Sequence, residues 1–211
     1  MEKGPYHIDL ESDCFYHMFS RGEADEIVFR CEENYFYFLR KLPVYTDPIC
    51  SILAFSLMPN HFHFLIRVKS EEELKEAFTV NALSASNRIS EKLPTFDLSK
   101  FVLQQFSNFL NSYTKSFNKM HHRKGGLFMN RIRRAKVNKE TDFSNFVFYI
   151  HKNAVHHGLT ERIGQWKFDS YNAILSEKPT SLDRQFVIDW FGSKSLFVDF
   201  HKQQFIQLEG S

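Results

Sequence analysis

Apolar residues recur along the chain in two rhythms, and the switches between them mark out the elements. Residues 14–20, CFYHMFS, are strand-forming types stopped at Arg21-Gly22, which predicts a first strand followed by a polar loop. From Glu32 the positions Tyr35, Phe36, Phe38, Leu39 and Leu42 fall at helical spacing, and Pro43 is expected to end that helix. In CSILAFSLMPNHFHFLIRV two apolar runs are separated by Met58-Pro59-Asn60; Pro-Asn is turn chemistry that a strand interior tolerates poorly, so the segment predicts a β-hairpin. Ser70 before EEELKEAF is an N-cap with an acidic first turn, hence a second helix. Residues 84–100 mix Ser, Asn, Lys and Pro with few periodic apolar positions and are expected to be an insertion or mobile loop.

Helical spacing resumes over Phe101–Lys119, and Gly125-Gly126 interrupts it. LFMNRIRRAKV then reads as a basic strand, and a helix from about Thr141 to His157 closes at Gly158. The order β, α, β, β, α, β, α implies an α+β fold of ferredoxin-like type, an antiparallel sheet with helices on one face. Residues 1–175 are expected to form the main domain and 176–211 a separate, partly helical C-terminal extension.

Composition narrows the class. With 211 residues, 43% hydrophobic and 25% charged, the chain suits one main core of ordinary globular type. Its 24 Phe mostly occupy apolar-periodic positions, so a Phe-rich core explains them and only a minority is left to stack on bases. No apolar run is long enough for a membrane helix, and MEKGPYHIDLESD resembles neither a signal nor a transit peptide; a cytoplasmic protein with no membrane partner is expected. Cys14, Cys31 and Cys50 are widely spaced and form no paired motif, which argues for buried thiols in a reducing compartment rather than a disulfide framework or a cysteine zinc site. The net charge of +2 is uninformative, but from Lys115 to Lys139 there are nine Lys or Arg and no Asp or Glu, a local field suited to a polyanion.

Two clusters could carry chemistry. His61 and His63 lie two apart in the second hairpin strand, so both imidazoles share one face while Phe62 and Phe64 take the other. The pair is arranged to chelate a metal, although an isolated H-x-H is a weak signal and more often a pair of polar-face histidines. Tyr149 and Asn153 lie four apart in a helical segment and share a face. That face offers a phenol and an amide, or simply a half-buried tyrosine and a helix-end asparagine. Arg131, Arg133, Arg134 and Lys136, with Arg123 and Lys124 upstream, could track phosphates, or protect an edge strand by charge. His121, His122, His156 and His157 read as loop or helix-end residues, and Tyr113 is a second tyrosine in a plausible region.

Taken together, LMPNHFHFLI and YIHKNAVHHGL resemble the two signature segments of the REP-associated tyrosine transposases, within the single-tyrosine insertion-sequence transposases. FYHMFSRG at 15–22, RKGGLFMNRI at 123–132 and WKFDSY at 166–171 follow in the family's order, and the resemblance covers roughly residues 14 to 175. It implies that His61 and His63 bind a divalent cation, Mg²⁺ or Mn²⁺, and that Tyr149 attacks a DNA phosphate to give a 5′-phosphotyrosyl enzyme and a free 3′-hydroxyl. Asn153 occupies the place of an amide that can complete the metal shell, while Ala154 departs from the proline usual after it.

The resemblance implies a metal-dependent endonuclease and strand transferase acting on single-stranded DNA at hairpins or repetitive palindromic elements, and a homodimer is compatible with it. No G-x-x-x-x-G-K-[ST] phosphate loop occurs, consistent with strand joining through a covalent ester. The rival expectation is a non-catalytic single-stranded nucleic-acid-binding protein of the same fold, which would bind without metal or cleavage. A hydrolase of small phosphoesters would need carboxylates near the histidines, and the local sequence offers none.

Overall fold

A computed structural model describes residues 6–85, 95–129 and 131–209. Four strands, β1 (Phe15–Arg21), β2 (Cys50–Met58), β3 (His61–Val68) and β4 (Arg133–Val137), form one antiparallel sheet in the order β2-β3-β1-β4. With α1 (Glu32–Thr46) between β1 and β2, and α4 (Lys139–His156) after β4, this is the ferredoxin-like arrangement expected from the sequence. Pro59-Asn60 makes the two-residue turn between β2 and β3.

The helices lie on both faces of the sheet, not on one. Phe62 and Phe64 of β3 meet Phe38 of α1 at ring separations of 5.4 and 6.2 Å, and α3 (Leu98–Met120) adds Phe109 against Phe38 at 4.6 Å. On the opposite face Phe143 of α4 meets Phe15 of β1 at 5.7 Å. The signal was present in β2, whose near-continuous apolar run is what a strand covered on both sides requires.

Two expected boundaries move. Pro43 lies inside α1, which continues to Thr46; Leu42 and Thr46 are buried there, and the Thr46 hydroxyl donates to the Leu42 carbonyl at 2.9 Å. Packing of that last turn overrides the local cost of the proline. The expected strand over 127–137 is regular only from Arg133, preceded by an antiparallel bridge from Phe128 to Gly22. Gly22 is required for space, since a Cβ would stand 2.1 Å from the Glu26 carbonyl oxygen.

Ser70 caps α2 (Glu71–Ala85) as expected: its Oγ accepts from the Glu73 amide, and the Glu73 carboxylate accepts from the Ser70 amide and hydroxyl. Of the loop expected over 84–100, residues 86–94 lie outside the described residues; Leu98–Lys100 are helical, with Asp97 accepting from the Lys100 amide.

Both sheet edges are covered. Residues 168–170 bond to β2 through Leu57 N–H to Phe168 O and Ser170 N–H to Phe55 O, and the N-terminal segment bridges β4 at His7–Arg134. Helices α6 (Arg184–Phe191) and α7 (Lys194–Glu209), which follow the short α5 (Tyr171–Leu175), pack on the α4 side. Trp190 Nε1 donates to Ser144 Oγ at 2.9 Å, and Phe197 is fully buried. Replacing Phe197 with Ala should cost about 3–5 kcal/mol, read from the denaturant midpoint; a cost near zero would mean that α7 is not part of the core.

Candidate active site

His61 and His63 face α4 because Phe62 and Phe64 are committed to the core on the other side of β3. The two imidazoles stand edge to face, 5.1 Å between centroids. Asn60 Oδ1 lies 2.7 Å from His61 Nδ1. That oxygen can only accept, so Nδ1 carries the proton and Nε2 keeps its lone pair. His63 Nδ1 is also engaged, 2.8 Å from Nε2 of His17 on β1. Burial holds His17 and His61 down to about 4 and His63 lower still, with neighbouring histidines adding to the effect on His61 and His63. All three are therefore neutral at pH 7, the form in which imidazole ligates a metal.

An open cleft of 320 Å³ lies over this face, lined by His61, His63, Arg21, Arg131, Arg133 and His157 among others. Arg21 pairs with Asp25 at 2.7 Å, and Arg131 and Arg133 add cationic lining. The balance suits a phosphate.

Tyr149 packs against His63, one of the residues that line this cleft. Asn138 starts α4 by accepting from the Glu140 and Thr141 amides, and the buried Phe143, Val147 and Ile150 fix the helix on the sheet. The Tyr149 ring is then edge-on to His63 at 5.7 Å and to His17 at 5.6 Å, and the residue remains 38% exposed. Burial raises its pKa and the Asn153 amide opposes this in part, so the phenol is protonated at neutral pH. Asn153 itself is 2% exposed and donates to the Tyr149 carbonyl at 2.8 Å, within its own helix.

The other tyrosine considered in the sequence, Tyr113, is buried and donates its hydroxyl to the Val28 carbonyl. It has no access to a phosphate.

The six basic residues take different places, and strand period sorts those on β4. Arg133 pairs in register with Phe19 and faces the cleft, which Arg131 also lines. Arg134 faces the other way and is 6% exposed; its guanidinium donates to the Ile8 and Ile132 carbonyls, and its amide to Tyr6 O. It clamps the N-terminal segment. Lys136 is paired with Glu11 at 2.9 Å, Arg123 with Glu26 at 3.3 Å, and Lys124 is exposed in a loop.

His17, Arg21 and His157 were not assigned from the sequence. His17 and Arg21 lie in FYHMFSRG, but placing them beside His63 needs the β1–β3 register, with Phe19 opposite His63 and Arg21 opposite His61. His157 follows the end of α4, its ring 4.9 Å from His61.

Among the described residues no group of three His, Cys, Asp or Glu has metal-binding spacing. The protein donors that would hold a cation are the two imidazoles, each with its Nδ1 engaged by a second residue.

The buried histidines also set a pH dependence of stability. His151 of α4 bonds to His201 of α7 at 2.9 Å and to Ser170 Oγ at 2.7 Å. Burial lowers both, His201 to about 4. An unfolded chain binds protons on these groups below about pH 6.5 whereas the folded chain does not, so stability falls as pH drops from about 6.5 towards 4. Asp169, raised to about 7 by burial, acts in the opposite direction as a single group. Urea midpoints should therefore decline through this window; a flat profile down to pH 4.5 would contradict neutral burial.

No family model matches the chain. A Haemophilus influenzae protein described as a "Putative REP-associated tyrosine transposase" is 22% identical over 122 residues, which are 57% of this chain and 58% of that one. The chain thus spans less than two thirds of that relative's length. A solved structure described as a REP-associated tyrosine transposase bound to a REP hairpin aligns with a TM-score of 0.53 at 17% identity, covering 85% of this chain and 88% of that one. The fold is of that transposase type, and both comparisons meet the resemblance carried by the sequence motifs.

Proposed function

We propose that the protein is a transposase that nicks and rejoins single-stranded DNA beside a short hairpin of a repetitive palindromic element. The observation that carries this reading is the Tyr149 ring, partly exposed and 5.7 Å from the ring of His63, which lines a cleft together with Arg131 and Arg133. On this reading one chain supplies the phenol, the imidazoles and the cationic lining.

In this reading the Tyr149 oxygen attacks a backbone phosphorus. The new O–P bond forms as the P–O3′ bond breaks, the phenolic proton leaves to solvent, and the 3′-oxygen takes up a proton as the free hydroxyl. Reversal by a second 3′-hydroxyl rejoins strands with no external energy source. His61 and His63 would hold Mg²⁺ or Mn²⁺ through Nε2, and Asn153, whose Nδ2 donates to the Tyr149 carbonyl, would join them through its Oδ1. A cation held there would supply charge withdrawal from the phosphate and so favour attack on its phosphorus. Arg131 and Arg133 neutralise the flanking phosphates.

The test is to incubate the protein with a labelled single-stranded hairpin carrying flanks, with Mn²⁺, Mg²⁺ or EDTA. Site-specific nicking with either ion and none in EDTA supports the reading. Binding without cleavage in all three identifies a non-catalytic binder instead. In the same system, Arg131→Ala should lower the slope of log affinity against log salt by about one, whereas Arg134→Ala should lower the melting temperature and leave the slope unchanged. An equal effect of both on the slope would contradict the inward orientation of Arg134.

A further inference from the structure

We infer that His17 is a positioning residue of this site, accepting the Nδ1 proton of His63 on its own Nε2 and so holding His63 in the one tautomer that presents Nε2 to an outside ligand. The inference rests on the metal reading of His61 and His63 given above. His17 and His63 are 6% and 7% exposed, so water does not readily replace either partner. Their rings are nearly parallel, at 13°, and the nitrogens are 2.8 Å apart, as an N–H···N bond requires.

A neutral imidazole has one proton, so the bond has two possible senses. If His17 donated, the His63 proton would sit on Nε2, where it blocks coordination. If His63 donates, Nε2 keeps its lone pair. The second sense matches His61, whose Nδ1 proton is fixed by Asn60 Oδ1 at 2.7 Å. Both imidazoles then offer the same nitrogen, each with its other nitrogen tied to a second residue, the arrangement that orients metal-ligating histidines.

His17 is itself held from three sides. It pairs in register with Leu65 on β3 and Ala135 on β4, its ring lies against Phe19 at 4.8 Å, and α4 contributes Phe146 at 5.4 Å and Tyr149 at 5.6 Å. The same ring thus touches the residue it orients and the proposed nucleophile.

Two variants test this. His17→Phe keeps an aromatic ring and removes the acceptor; His17→Gln places an amide oxygen near the position of Nε2. Mn²⁺ binding, measured by electron paramagnetic resonance without DNA, should weaken about 10–100-fold in His17→Phe and recover to within a few-fold in His17→Gln. Hairpin binding in EDTA should be unchanged in both. Imidazole ¹⁵N spectra should show His63 protonated on Nδ1 in the unmodified protein and shifted towards Nε2–H in His17→Phe, with thermal melts confirming that each variant folds. Wild-type Mn²⁺ affinity in His17→Phe, or His63 protonated on Nε2 in the unmodified protein, overturns the inference. A protein that takes up no Mn²⁺ yet shows the Nδ1–H form, lost in His17→Phe, refutes the metal reading and supports the positioning.

Discussion

Replacing Tyr149 with Phe should reduce strand cleavage on the order of 10⁴-fold or more while leaving hairpin affinity and stability close to those of the unmodified protein. On the proposed reading the substitution removes the attacking oxygen and nothing else of weight. Phe retains the ring that lies edge-on to His63 and His17, and the residue is 38% exposed, so the change in stability should stay within about 0.5 kcal/mol. The drop should appear in single-turnover cleavage and in the yield of covalent adduct alike. Cleavage at an undiminished rate would move the nucleophile elsewhere, and Tyr113 offers no refuge because its hydroxyl is buried against the Val28 carbonyl.

The second large effect concerns the imidazoles. His61→Ala should lower cleavage at least ~10²-fold, since residues that merely support a metal ligand already cost 10–100-fold and a ligand should cost no less. His61 is the cleaner choice. His63 is 7% exposed and bonded to His17, so its removal leaves a buried nitrogen without a partner and adds a stability cost of about 1–3 kcal/mol. Excess Mn²⁺ should restore part of the His61→Ala activity through His63, and should restore none to Tyr149→Phe. Equal rescue of both variants would mean that the two residues do not have separate roles.

Much of this arrangement is legible in the chain because it rests on local rules. The Pro59-Asn60 turn and a strand period of two are enough to put His61 and His63 on one face, and the four-residue spacing of Tyr149 and Asn153 puts them one helical turn apart. What the sequence leaves open depends on register and on packing between distant segments. His17 becomes a neighbour of His63 only through the β1–β3 pairing, 46 residues away. Arg134 looks like a phosphate contact in a basic run, yet the pleat turns it to the opposite face from Arg133, where two backbone carbonyls occupy it.

The C-terminal helices illustrate the same limit. Local spacing indicates helix within residues 176–211, but the His151–His201 bond that ties α7 to the helix carrying Tyr149 joins residues 50 apart. Likewise the expected end of α1 at Pro43 follows local chemistry, and the turn beyond it exists because Leu42 and Thr46 find buried positions.

The most direct measurement is a peptide map of the protein–DNA adduct formed with Mn²⁺ on a single-stranded hairpin substrate. The account predicts a 5′-linked nucleotide mass on the peptide that contains Tyr149, absent in EDTA. Cleavage that proceeds with no adduct, or with the adduct on any other residue, would contradict it.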